Sequence, residues 1–483
     1  MPISPSRPAC SPQEEPLHAL LQGPRHELHR IPYSLLLKLI CRKCLLALRA
    51  QASCFRLGCA LFLVVLRQYG LASLFLKGDR LRAVIHDSFL QGHPIRLRLC
   101  TRLHHHLRRS RNQASEGCYH LGTFFQTTIG YIALLGFYVQ LQHLQGRKDV
   151  KNVLFFDPEK KIANRHLLDY LIPFFEVVSD PAERSDARRS GGGLEMCNFL
   201  EVNGRWEDFY STVSKAQTQW ETSKKPLLSL REEDIALGWE TLASLGIPQG
   251  SWFVTLHVRE SGFYQGTASE VHESFNGARN SNLTDYLPAV REITSRGGYV
   301  VRIGDPTMQP CPSLPGLIDY ARSPLKSERM DVFFLGAPRF FLGTNSGPFA
   351  VPCLFDVPLL LTNWHPLSNH YGHRNTLLLP RLVQNHETGR VLTFRELLRS
   401  RFAHAQTLDP IPDKHSFLPN TEEEILEATR DMLALLDGQH QGRSGEKAKH
   451  LQARFAALCK ETGFRWSVSL PDSFLLAHAE LLD

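Results

Sequence analysis

The sequence predicts an α/β fold built on parallel strands. Two strand–helix–strand alternations and the polar residues at their strand ends carry that expectation. The run Trp252-Phe253-Val254-Thr255-Leu256-His257-Val258 suits a buried strand and leads straight into Arg259-Glu260-Ser261-Gly262. A second strand, Gly298-Tyr299-Val300-Val301-Arg302-Ile303-Gly304, repeats the arrangement with Arg302 near its end and Asp305-Pro306 after it. Between them Leu283, Tyr286, Leu287, Val290 and Ile293 recur at helical spacing, with Asn280 or Ser281 as the cap. A further helix from Ser327 to Leu335 precedes a strand at Phe340, and a helix after Pro348 precedes Pro358-Leu359-Leu360-Leu361-Thr362. This order implies parallel strands joined by right-handed crossovers. Open sheets of that kind bind ligands outside the carboxyl ends of their strands.

Arg339 to Phe349 is the most chemically suggestive segment. Phe340 to Leu342 form an apolar strand, Gly343 and Gly347 permit close turning, and Pro348 suits a first helical turn, where no backbone donor is required. Thr344, Asn345, Ser346 and Gly347 would then lie at a helix mouth, where free N–H groups and the dipole favour a phosphate. A plain helix cap is the alternative reading of the turn alone.

The earlier half reads as a similar alternation. Cys118 to Thr123 is a strand and turn, and a long apolar helix follows from about Phe124 to Leu144. Val153 to Phe156 and Phe174 to Val178 are strands, with a helix around Arg165 to Leu171 between them. Asp180 to Gly193, dense in Arg, Ser and Gly, is expected as a mobile loop, Trp206 to Trp220 as a helix, and Lys224 to Arg231 as a linker and hinge.

Charge separates the N-terminal region from the rest. Residues 1–111 hold 18 Lys and Arg against 5 Asp and Glu, leaving 37 against 43 for the remainder. Residues 1–24, rich in Pro and Ser, are expected to be disordered, and 25–111 to form a basic helical region. Its apolar stretches, Tyr33 to Ile40 and Cys59 to Leu66, fall short of the roughly 18–20 residues that span a bilayer. Basic and apolar residues at helical intervals suit peripheral contact with an anionic membrane surface; a solvated basic face or a partner-binding extension explains them equally well. No nucleic-acid-binding motif or aromatic and basic interleaving is present. The 11 cysteines are scattered, and no cleavable signal peptide opens the chain, so a reducing, cytoplasmic location is expected. Cys41-Arg42-Lys43-Cys44 lacks the second ligand pair that a zinc site needs.

Several segments together resemble a bacterial glycosyltransferase family. They are His257-Val258-Arg259-Glu260-Ser261-Gly262, Arg279-Asn280-Ser281, Tyr286-Leu287-Pro288, Arg302-Ile303-Gly304-Asp305-Pro306, Met330-Asp331-Val332-Phe333, Gly343-Thr344-Asn345-Ser346-Gly347 and Leu360-Leu361-Thr362-Asn363-Trp364. More distantly, His257-x-Arg259 resembles the nucleotide-binding motif of fucosyltransferases that use GDP-fucose, and the Asn345-Ser346-Gly347 turn resembles the phosphate turn of heptosyltransferases. The resemblance covers residues 250–370 well and 118–220 weakly. It implies the GT-B architecture, two Rossmann-like domains facing across a cleft, here with the basic helical N-terminal region added. The expected boundaries are an acceptor lobe at 112–230, a nucleotide-sugar donor lobe at 231–438, and a charged loop and helix at 439–483. The implied reaction moves a sugar from a nucleotide-diphosphate donor to a glycan, lipid-linked or protein acceptor, with inversion.

Such a transfer needs an anion site for the leaving group and a base for the acceptor hydroxyl. The chain has no Asp-x-Asp to hold a divalent metal, so arginines and backbone donors are expected to do that work. Neither a metal nor a cofactor is called for, the nucleotide sugar being a substrate. Arg259 is the first candidate for the diphosphate, since a guanidinium can grip it with two hydrogen bonds. Thr344, Asn345, Ser346 and Gly347 are the second element, Arg302 the third, and His257 lies beside them. Glu260 and His120 are the candidate bases, although an acid beside an arginine may serve only to orient it. His365, His370 and His373 could line the acceptor side, bind a metal, or lie in a solvated loop. A nucleotide-sugar epimerase or hydrolase on the same fold would share the diphosphate site. A non-catalytic membrane- or partner-binding protein would have no need of converging phosphate donors. A dehydrogenase is disfavoured because the Gly122 turn lacks Gly-x-Gly-x-x-Gly.

Overall fold

The computed structural model describes residues 118–121, 123–146, 151–183, 193–194, 199–202, 205–208, 216–217, 219–220, 225–261, 277–371, 375–404 and 414–483, with scattered positions between 57 and 103. The chain divides into Met1–Ala114 and Ser115–Asp483. In the first unit Ala60, Ala72, Leu99 and Leu103 are helical and buried. The expected disorder of 1–24, and otherwise the basic helices and membrane contact of 25–111, lie outside the described residues. So does most of the loop expected between Asp180 and Gly193.

The second unit contains two parallel sheets. The smaller holds β1 (Cys118–Leu121), β2 (Lys151–Phe155), β3 (Glu176–Val178) and β4 (Gly193–Leu194) in the spatial order β3-β2-β1-β4. After it come β5 (Phe199–Val202) and β6 (Arg205–Asp208), an antiparallel pair. The helix expected from Trp206 therefore begins as a strand. The two residues between these strands are Asn203-Gly204, a pair that favours tight hairpin turns and outweighs the helical spacing downstream.

The larger sheet holds β7 (Phe253–His257), β8 (Tyr299–Arg302), β9 (Leu317–Ile318), β10 (Phe340–Gly343), β11 (Leu359–Trp364) and β12 (Thr376–Pro380). Its order is β12-β11-β10-β7-β8-β9, parallel throughout. Counting from β7, this is the 3-2-1-4-5-6 order of a dinucleotide-binding sheet. The chain lays β7, β8 and β9 outward in one direction, then returns to place β10 on the other side of β7. β7, β10, β11 and β12 are buried along their whole length, as strands covered on both faces must be.

Caps placed by the sequence start the crossover helices. Asn164 Oδ1 accepts from Leu167 N at 2.7 Å ahead of the Arg165–Leu171 helix, and Ser327 Oγ accepts from Met330 N at 3.2 Å ahead of Glu328–Gly336. Between β7 and β8 the helical stretch is a short 3-10 turn, Leu283–Tyr286, capped by Asn282, running into the Leu287–Ser295 helix. Asn280 and Ser281, expected as caps, are thereby left for other contacts. After Pro348 the structure departs from the expected helix: Gly347–Ala350 and Pro352–Phe355 are separate 3-10 turns. Prolines at the first turn of each and a left-handed Asp356 divide the segment, so no aligned stack of peptides builds a helix dipole there. The Glu232–Ser244 helix, not anticipated from the sequence, precedes β7. Beyond β12 come the antiparallel pair Leu382–Asn385 and His415–Leu418, the short Phe394–Arg399 and Arg401–His404 helices, and the helices Glu422–Leu436, His440–Thr462 and Asp472–Ala477. The charged stretch after Gln439, expected as a loop, is the start of the His440–Thr462 helix, which is interrupted at Gly445.

One apolar core runs from Phe125 to Leu482 and joins both sheets. The Ile129–Leu144 helix is its centre, buried from Ile132 to Gln142. A helix that is apolar on every side belongs in an interior. Phe137 meets Tyr371 edge to face at 4.9 Å between ring centroids. A Cβ on Gly130 would lie 2.7 Å from Gly347 Cα and 3.0 Å from Gly347 O. The two backbones touch there because neither residue has a side chain. Gly130→Ala must push them apart, and a loss of roughly 1–3 kcal/mol is expected, as for an overpacked core. Thermal denaturation checks this, and an unchanged melting temperature would refute it. The segment expected to hinge is fastened: Leu228 N donates to Leu354 O at 2.9 Å, and the Arg231 guanidinium lies 4.3 Å over the Tyr170 ring.

Candidate functional site

The carboxyl ends of five adjacent strands deliver polar side chains to one edge of the larger sheet. Arg302 ends β8; His257 ends β7, with Arg259 two residues on; Thr344 and Asn345 follow β10; His365 follows β11; Arg381 follows β12. β7 and β10 flank the point where the strand order reverses. Thr344 and Arg259 are joined there: Arg259 N donates to Thr344 Oγ1 at 3.0 Å, and Thr344 N donates to His257 O at 3.1 Å. Gly343 permits this closeness, since a Cβ on it would lie 2.7 Å from His257 O.

Arg259 is buried, and its Nη1 donates to Asn280 Oδ1. Asn345 is buried too, with Nδ2 donating to His365 O at 2.7 Å. That bond leaves the Asn345 carbonyl as a separate polar group. Ser346 is half-buried and its side chain makes no capping bond. Gly347 faces Gly130, so its missing side chain is explained by packing.

Arg302 and Glu260 are occupied with each other. Arg302 is fully buried; its Nη2 donates to Glu260 Oε1 at 2.5 Å, and its Nη1 to Asp319 Oδ1 at 3.2 Å and Gln309 O at 2.6 Å. Glu260 Oε2 accepts from Gln309 N at 2.9 Å. Both carboxylate oxygens are therefore engaged, and the partner is Arg302 rather than the neighbouring Arg259. This geometry suits a brace beneath the site better than a proton acceptor.

His257 is buried, and Nδ1 lies 3.2 Å from Ile303 O. Burial first, and the Arg259 and Arg302 charges after it, push its pKa down to about 4 despite that carbonyl, so the ring is neutral at pH 7. A carbonyl can only accept, so Nδ1 carries the proton and Nε2 presents a lone pair. Nε2 is buried and has no hydrogen-bond partner among the described residues. A ligand hydroxyl is the kind of group that would satisfy it.

His365 is also buried, and its pKa is pushed down to about 3, first by burial and then by Arg381 and Arg279. His370 is held by Leu367 O at 2.6 Å from Nδ1, which makes it a packed residue, and His373 lies outside the described residues. No group of three or more His, Cys, Asp or Glu that could hold a metal occurs among the described residues. His120 lies in β1 opposite Val153 and Gly193; its side chain is outside the description. Arg381 escaped sequence reasoning. The only available signal was the end of the apolar run Leu377 to Pro380, a pattern shared by many strands.

No family model and no curated protein matches the sequence. Among solved structures, the chain is similar to a glycosyl transferase family 9 protein from Veillonella parvula, at 11% identity over 66% of this chain and 97% of that one, with a TM-score of 0.39. It is similar to the ADP-heptose lps heptosyltransferase II of E. coli, at 11% identity over 55% and 90% of the two chains, with a TM-score of 0.32. It also resembles the iron-containing dodecameric glycosyltransferase TibC of enterotoxigenic E. coli, at 14% identity over 54% and 61%, with a TM-score of 0.32. No helix among the described residues is long and apolar enough to cross a membrane. The functional reading rests on the site itself.

Proposed function

We propose that this chain is a glycosyltransferase that moves a sugar from a nucleoside-diphosphate donor to a hydroxyl of a glycan, lipid-linked or protein acceptor, without a divalent metal and with inversion. The observation that carries this reading is the buried Arg259, with Thr344 and Asn345, at the reversal point between β7 and β10. Nucleotide ligands bind parallel sheets at that point, and a guanidinium matches the geometry of phosphoryl oxygens. The motif resemblance of residues 250–370 supports the same reading.

In this mechanism the acceptor oxygen attacks the anomeric carbon as the bond from that carbon to the diphosphate oxygen breaks. The departing diphosphate keeps the bonding electrons, and Arg259 neutralises the charge it gains. The remaining Nδ2 hydrogen of Asn345 is donated to a phosphoryl oxygen, and the His257 Nε2 lone pair accepts from a donor hydroxyl. The acceptor proton passes to a base. Glu260 is held by Arg302 and Gln309, so His120 is the base we favour. Glu260 and Arg302 then serve as the brace that sets the Arg259 backbone.

Calorimetry with GDP-, UDP-, ADP- and CMP-sugars in the presence of a chelator tests the proposal. One nucleoside-diphosphate sugar should bind, and the CMP-sugar, with its single phosphate, should bind least. Absence of binding by every donor would overturn the reading. Mass spectrometry of the products then separates transfer from epimerisation or hydrolysis.

A further inference from the structure

Two deeply buried arginines stand at the same sheet edge in opposite electrostatic conditions. Arg302 is neutralised within the protein by Glu260 and Asp319. Arg381, only 8% exposed, has no carboxylate partner among the described residues. Its Nη2 donates to Asn280 O at 2.5 Å and to Ser281 Oγ at 3.3 Å, both neutral acceptors, and its Nε has no hydrogen-bond partner among the described residues. Asn280 also holds Arg259, through Oδ1. A single residue thus grips two guanidinium groups, one by its backbone carbonyl and one by its side chain. Burying the Arg381 guanidinium on neutral acceptors alone leaves its desolvation uncompensated. Neutral acceptors give folding no compensation for the buried Arg381 charge, whereas a bound anion would supply it.

We infer that Arg381 is a second anion ligand of this edge, taking one phosphoryl group of a bound diphosphate while Arg259 takes the other, so that the site selects diphosphates over monophosphates. The anion subsite stands on the burial and neutral partners of Arg381; only the identity of the ligand as a nucleotide rests on the function proposed above. Nearby His365, kept neutral, adds no competing charge.

The test is calorimetry of the full chain and of Arg381→Met with pyrophosphate, inorganic phosphate, and a nucleoside diphosphate with its monophosphate. Wild type should prefer each diphosphate to its monophosphate. Arg381→Met should weaken the diphosphates by about 10- to 100-fold, the range of one charge-assisted hydrogen bond, and leave the monophosphates unchanged. The ligand-free variant should also melt at a higher temperature, because an unpaired buried cation has been removed. Equal weakening of mono- and diphosphates, or no weakening, would overturn the inference, as would a lowered melting temperature with unchanged affinities. Nucleotide binding that ignores Arg381 removes this inference and leaves the transferase reading intact. Pyrophosphate binding that depends on Arg381, with no nucleotide bound, does the reverse, and failure of every ligand overturns both. Arg381→Lys keeps the charge but not the planar fork and should lose part of the diphosphate preference, which gives the test a second variant should the first fail to fold.

Discussion

Arg259→Ala is expected to weaken binding of the nucleoside-diphosphate donor by about 100-fold or more, corresponding to the roughly 3 kcal/mol lost when a buried charged hydrogen-bond partner is truncated. The side chain is buried and stands where the strand order reverses. Its backbone is set by Thr344 Oγ1 at 3.0 Å, so the guanidinium has little freedom to swing elsewhere. Because the same contact should strengthen as the leaving group gains charge, turnover should fall along with affinity. Arg259→Lys restores the charge but cannot make two parallel bonds to a phosphoryl group, and should recover only part of the loss. Calorimetry and initial rates on the three proteins decide the matter. Equal affinity in wild type and alanine variant would remove Arg259 from the site.

The second large effect is structural. Asp234 is 1% exposed and holds three partners, two from one helix and one from another. His166 Nε2 lies 2.9 Å from Oδ2, the Tyr170 hydroxyl donates to the same oxygen, and Arg329 Nε donates to Oδ1. The carboxylate therefore ties the Arg165–Leu171 helix behind the first sheet to the Glu328–Gly336 helix of the second. Asp234→Ala leaves the buried Tyr170 hydroxyl without its acceptor, while Arg329, 36% exposed, keeps contact with water, so a loss of about 1–3 kcal/mol is expected, measured as a fall in the denaturant midpoint at pH 7. An unchanged midpoint would show that the network contributes nothing. Burial by itself would raise the Asp234 pKa, but the hydrogen bonds from Tyr170, His166 and Arg329 outweigh it and hold the carboxyl below its ordinary value. A folded-state pKa below the unfolded one adds stability above the unfolded value, about 3.9 for Asp, and that stability is lost as pH falls through the folded value. Wild type should thus lose this contribution in acid below about pH 4, and Asp234→Asn should show a shallower acid limb.

Much of the larger sheet was legible because the signals are local. The apolar runs at Phe253, Tyr299, Phe340 and Leu359 are continuous, and Ser327 and Asn164 cap helices with their own side chains. Arg259, Thr344 and Asn345 could be placed at a strand edge for the same reason. The turn after Pro348 misled because proline is tolerated by the first turn of either helix type, and here a second proline, Pro352, opens a separate 3-10 turn that the left-handed Asp356 ends. Gly347 read as a phosphate turn, yet its nearest neighbour is Gly130, more than 200 residues earlier in the chain. Glu260 read as a base beside Arg259; side chains of adjacent residues on an extended backbone diverge, and it reached Arg302 on the neighbouring strand instead.

The sequence by itself determined the parallel α/β architecture and the polar strand ends, because spacing, capping and turn chemistry depend on residues a few positions apart. Which charges are neutralised was decided only by the tertiary structure. The pairing of Glu260 with Arg302, the meeting of Arg259 and Arg381 on Asn280, and the closure of Asp234 on two other helices depend on which strands and helices become neighbours. That adjacency arises from the packing of the whole core, and it is the reason Arg302 at the edge carries its own counter-charge while Arg381 meets only neutral acceptors.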